Sequence, residues 1–189
     1  MDEFLELNKK YNSIQDFLND KIFEKCENIK INWLMCKNEN LYYENKSLFE
    51  RMNQINYDDI ANKHIKSTVK GKLSVNYWEN AANPHTSNLN ILSCSSSGKK
   101  IQFDSPFYDP PDLENAKLKH YQYKSFEEYC LKIKRGVGDS PKNISKEFVK
   151  KNYIRLYLEN INDEEKLRLL NKIFNDSFYD FNKTMSKTP

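Results

Sequence analysis

The stretch 116-AKLKHYQYKSFEEYCLKIKRG-136 changes its period halfway along. Ala116, Leu118 and His120 alternate with Lys117 and Lys119, the pattern of a β-strand. From Ser125 the spacing becomes helical. Ser125 and Glu128 stand in the S-x-x-E arrangement of a capping box, and Phe126, Tyr129, Cys130 and Ile133 share one face. Lys132, Lys134 and Arg135 occupy the last turn, and Gly136 suits the C-terminus. A strand running into a capped amphipathic helix predicts an α/β chain, with mixed short strands followed by helices.

Working outward from this stretch, residues 2–7 read as the end of a strand entering a loop, and Ser13 to Asp16 open a short helix through Phe17 and Leu18 to about Asn19. Ile29, Ile31 and Trp33 alternate with polar residues, which predicts a half-buried strand, followed by a turn at Asn38-Glu39-Asn40. Ser47 to Met52 predicts one or two helical turns with Leu48, Phe49 and Met52 inward. Residues 65–75 read as extended and 78–89 as a loop. The runs 89–94 and 99–103 flank Ser95-Ser96-Ser97-Gly98 as a hairpin, and Asp109-Pro110-Pro111-Asp112 blocks regular structure. Helices are predicted over 144–158 and from Asp163 to near Phe181, with Leu167, Leu170, Ile173 and Phe174 inward and a frayed polar tail over 182–189.

Composition sets outer limits. The chain has 189 residues, enough for a real core, and its 30 Lys and Arg against 27 Asp and Glu give a net charge of +3. That balance argues against a nucleic-acid partner. No apolar run is long enough to span a membrane, and the first ten residues lack the apolar core of a signal peptide. Cys26, Cys36, Cys94 and Cys130 form no CxxC pair, so the expectation is reduced thiols, no disulfide framework, and a cytoplasmic location. Gly occurs only at 71, 98, 136 and 138, so no Gly-rich phosphate loop and no complete doubly wound nucleotide domain is present.

Three constellations carry candidate chemistry. Asp2 and Glu3 offer hard oxygen ligands at a strand end. His85 follows Pro84 in a loop and His120 closes a strand; either could reach a metal or substrate, whereas His64 reads as a surface residue. Lys124 and Ser125 at a helix N-terminus combine free backbone amides with a cation, an arrangement that suits a phosphate.

Taken in order, these segments resemble a glycosyltransferase family. Asp2-Glu3-Phe4-Leu5 resembles the second half of the D-x-D-E-F motif of GT-A glycosyltransferases. Ile31-Asn32-Trp33-Leu34-Met35 and Leu48-Phe49-Glu50-Arg51-Met52 resemble the Trp strand and the L-x-E-R-F segment that follow it. The stretch from His120-Tyr121 to Arg135-Gly136 resembles the HYxxKSxEEFxxKxxRG signature. The group is that of the family 92-like and family 2-like enzymes. The chain departs from it at Cys36-Lys37-Asn38, where members carry a Gly-Asp pair.

The resemblance implies the C-terminal portion of a GT-A fold over 1–136, with a helical extension over 137–189, and a reading that starts inside the DxD motif. It implies transfer of a sugar from a nucleotide-sugar donor to a glycan or lipid-linked acceptor, with Mn²⁺ or Mg²⁺ as cofactor. Asp2, with His120 or His85, would hold the metal. Glu3 would orient a donor or acceptor hydroxyl, and Glu39 (or Asp59) would serve as base. Lys124, Ser125, Lys134 and Arg135 would hold the donor's phosphates. A half-domain of this kind also implies association with itself or with a missing N-terminal half. The alternative is a non-catalytic binding or interaction module.

Overall fold

Strand β2, Asn28–Lys37, is the centre of the sheet, and its sequence explains why. Ile29 and Ile31 are buried on one face, while Lys30 and Asn32 are equally buried on the other. The strand is therefore covered on both sides rather than half-buried as its alternation predicts. Its polar face is tolerated because it is hydrogen-bonded: Lys30 donates to the Ser105 carbonyl, and Asn32 donates to the carbonyls of Asn62, Lys63 and Tyr108.

The computed structural model describes residues 2–38, 40–52, 54–73, 79, 81–83, 86–87, 91–101, 105–135 and 162–176, with 81–83, 86–87, 122 and 123 described by backbone alone. The chain divides into two units, one formed by 1–36 and 55–121, the other by 37–54 and 122–189.

The first unit holds most of a mixed seven-stranded sheet. β1 (Glu3–Leu7) pairs antiparallel with β9 (Ala116–Tyr123), and β9 is followed in the sheet by β2, β7 (Ser93–Ser95) and β8 (Lys100–Ile101). β3 (Gln54–Asn56) and β4 (Ile65–Val69) also pair with β2. β2 runs parallel to β7, and β7 and β8 form the expected hairpin. Its turn needs Gly98, whose φ is +82° and whose position leaves a Cβ only 3.0 Å from Ile22 Cβ. β5 (Ala81–Asn83) and β6 (Thr86–Ser87) pair with each other where a loop is predicted, and 71–73 is one helical turn where extended chain is predicted.

Helix α1, Ile14–Leu18, starts where the sequence places it, with Ser13 accepting from the Asp16 amide. It seats Phe17 beside Phe23, Ile29, Ile31 and Ala116 in the core of this unit. Cys26 and Cys94 lie in the same core and are bonded as a disulfide, which corrects the reduced-thiol expectation for this pair. Their spacing of 68 residues gave no sign of contact; the parallel β2–β7 pairing creates it. Cys36 and Cys130 are buried free thiols.

The second unit is helical. α2, Leu48–Arg51, opens on a full capping box between Ser47 and Glu50, although Phe49 points outward and only Met52 is buried. α3 (Phe126–Arg135) packs on α4 (Asp163–Asn175) through Phe126, Tyr129, Cys130, Ile133, Leu169, Leu170 and Ile173. The predicted inward set of α3 is buried in full. Glu39, His85, Gly136, the predicted helix 144–158 and the tail 182–189 lie outside the described residues.

Candidate functional site

One face of the sheet changes character along its strands. On β1 and β9, Leu7 pairs with Ala116, Leu5 with Leu118, and Glu3 with His120. On β2 the same face carries Ile29, Ile31 and Trp33, and β4 adds Lys66 opposite Ile31. The aliphatic members form core, and the remaining members form a polar and aromatic cluster. Antiparallel pairing does this: because β1 and β9 run in opposite directions, the start of one meets the later part of the other.

The cluster is tightly connected. His120 is 6 % exposed, with Nε2 4.0 Å from Glu3 Oε1. Its ring centroid lies 4.1 Å from that of Trp33. Trp33 stacks on His64 at 4.7 Å and an interplanar angle of 17°, and His64 meets Phe107 edge-on at 4.6 Å. Two further bonds fix His64: its Nδ1 lies 3.1 Å from the Ala61 carbonyl, and its own carbonyl accepts from the Trp33 amide. Lys66 Nζ lies 3.5 Å from Glu3 Oε1 and 5.7 Å from the Trp33 ring. The Tyr121 amide donates to the Asp2 carbonyl at 2.7 Å, which ties the start of β1 to the residue after His120. Burial pushes the Tyr121 phenol up to about 12, with Cys36 adding to the effect, so the residue behind His120 stays neutral.

Glu3 and His120 are thus brought to one place, while Asp2 is joined to Tyr121 through its backbone carbonyl. Trp33, His64, Lys66 and Phe107 join them there and were not read as site residues. His64 is half-buried rather than a surface residue, and nothing in its local sequence signals its stack on Trp33. Asp59 caps the turn 60–63 by accepting from the Ala61 amide.

The helix N-terminus in the second unit is filled from within the chain. The Ser125 amide and hydroxyl both donate to Glu128 Oε2, and the Glu128 amide donates to Ser125 Oγ. The amides of Phe126 and Glu127 donate to the carbonyls of Asn40 and Leu41. Arg51 grips the same Glu128 carboxylate with two nitrogens, at 2.6 and 3.3 Å. The first-turn donors that would cradle a phosphate are therefore engaged. Lys134 donates to the carbonyls of Ile173 and Asp176, capping the C-terminus of α4. Lys124 is half-buried and Arg135 exposed.

A separate polar knot supports the first unit. Asp112 accepts from the hydroxyls of Ser95, Ser96 and Ser97 and from the amides of Ser97 and Glu114. Burial alone would push its carboxyl up, but these donors hold it below the usual carboxylate value. The Asp112 amide in turn donates to Asn32 Oδ1, linking the knot to β2. Through these bonds the carboxylate ties residues 95–97 to the segment 112–114.

Among the described residues no three His, Cys, Asp or Glu side chains converge as a metal-binding group. No helix among them is long and apolar enough to cross a membrane. In comparisons with known proteins, no family model, no curated protein and no solved structure matches the chain.

Proposed function

We propose that the chain carries sugar-transfer chemistry of the GT-A type, moving a glycosyl group from a nucleotide-sugar donor to a glycan or lipid-linked acceptor. The observation that supports this reading is the pairing of Glu3 with His120 across β1 and β9, with the Trp33 ring against His120. These residues come from the first, second and last segments of the family resemblance, and local sequence gives no reason for them to meet.

The roles follow from chemistry. Carboxylate oxygens and one imidazole suit Mn²⁺ or Mg²⁺, and Asp2 and His120 would hold the ion together with donor oxygens. A bound ion would supply neutralisation of the charge that develops on the departing nucleoside diphosphate. Trp33 and His64 fix the His120 ring from one side, so the imidazole needs no reorganisation on binding. Glu3, held between Lys66 and His120, would orient a sugar hydroxyl through its carboxylate. Transfer of labelled sugar, or its release to water, from a panel of UDP-sugars with Mn²⁺ tests the proposal. It predicts activity that His120→Ala lowers by at least about 100-fold. Activity unchanged in that variant would overturn it.

A second reading, a non-catalytic binding module, is favoured by the occupied N-terminus of α3, which gives a donor phosphate no cradle in the second unit. It predicts glycan binding that is indifferent to both UDP and Mn²⁺.

A further inference from the structure

We infer that the Cys26–Cys94 bridge is an oxidation-dependent lock on the unit formed by 1–36 and 55–121, and that the chain reaches its stable fold where thiols are oxidised. The bridge joins the residues just before β2 to β7, closing a separation of 68 residues. Among the described residues, three pairs, Asn28–Ser93, Ile29–Cys94 and Lys30–Ser95, hold β2 to β7 along the backbone. The amides of Glu27 and Asn28 add bonds to the Leu92 carbonyl, and the Leu92 amide donates to Glu27. A contact so short, between segments so distant in sequence, is where a cross-link removes the most freedom from the unfolded chain.

The remaining cysteines support this assignment. Four cysteines allow three pairings. Cys36 is buried within β2 and Cys130 within α3, and burial raises both thiols above their ordinary value. Neither is readily a thiolate, so neither competes for the oxidant. Cys26 and Cys94 are buried as well but are bonded to each other, and they line a cleft of about 160 Å³ that opens between Lys21, Lys25 and Lys100.

The oxidation balances with a disulfide donor, either a small oxidised thiol or an oxidoreductase. The thiolate of one cysteine attacks a donor sulfur, forming a mixed disulfide and releasing one donor thiolate. The thiolate of the other then attacks the mixed disulfide at the protein sulfur, and the second donor thiolate leaves. The protein loses two electrons and two protons, and the donor becomes two thiols.

Thiol counting by mass spectrometry, with melting measured on the same material, tests the lock. Chain produced under oxidising conditions and denatured with excess maleimide is expected to take two labels, at Cys36 and Cys130, and four after reduction. Reduction of the folded chain is expected to lower Tm by about 10 °C or more. C26S/C94S should melt like the reduced chain and ignore reductant, or fail to fold, whereas C36S/C130S should keep the full response. Four labels on unreduced chain, or a Tm indifferent to reductant, would overturn the inference.

Discussion

His120 faces Glu3 across an antiparallel strand pair, with Nε2 4.0 Å from Oε1 and the Trp33 ring against the imidazole. The same register that meets Leu7 with Ala116 in the core sets this pair at its other end. A one-residue slip of β1 would turn Glu3 to the opposite face and break both. Site and core are therefore one structural commitment in this unit.

Asp112 gives the clearest pH signature. Its folded carboxyl is held below the ordinary value, so the folded state binds that proton less readily than the unfolded state. The stabilisation is complete above the unfolded value, about 3.9, and is lost as pH falls through it toward the folded value. Asp112→Ala is expected to cost about 3 kcal/mol at neutral pH by stranding the serine donors. Urea midpoints at pH 7 and pH 3.5 check both parts: the wild-type chain should lose more stability than the variant on acidification.

Glu128 is both a cap and the partner of Arg51, whose side chain is only 6 % exposed. Glu128→Ala is expected to cost about 3 kcal/mol, because it leaves that guanidinium buried without its carboxylate. The occupied N-terminus predicts that millimolar phosphate leaves the wild-type Tm unchanged. A phosphate-dependent rise would show that the cradle opens.

Gly98 tests the hairpin. An alanine there meets a positive φ and both Ile22 Cβ at 3.0 Å and the Ile22 carbonyl oxygen at 3.1 Å. Gly98→Ala is expected to destabilise by about 2 kcal/mol in denaturant titration. Pairing it with Ile22→Ala should recover little of the loss, since alanine keeps the Cβ and the carbonyl and the positive φ remains.

Local chemistry was legible in the sequence and remote contact was not. Ser13, Ser47 and Ser125 announced their helices through side chains that reach only three residues along the chain. Ser95 to Gly98 announced a hairpin for the same reason. The inward face of α3 followed from spacing alone. Phe49 failed because a four-residue helix carries too little period to assign a face. Asn32 and Lys30 failed because their burial depends on carbonyls far along the chain, at 62–63, 105 and 108. The Cys26–Cys94 bond and the Trp33–His64 stack are of the same kind. The sequence offers Ser125 and Lys134 as ligands for a phosphate, yet both serve helix ends, because a capping residue and an anion-binding residue share one chemistry.

The most direct test of the Glu3–His120 site is a calorimetric titration of UDP into the oxidised chain with Mn²⁺ present, repeated for Asp2→Ala and His120→Ala. The account predicts Mn²⁺-dependent binding that each variant weakens by at least about tenfold, a loss of roughly 1.4 kcal/mol, with Asp2→Ala leaving Tm unchanged. Binding of equal strength in all three proteins, or no binding by the folded wild-type chain, would contradict it.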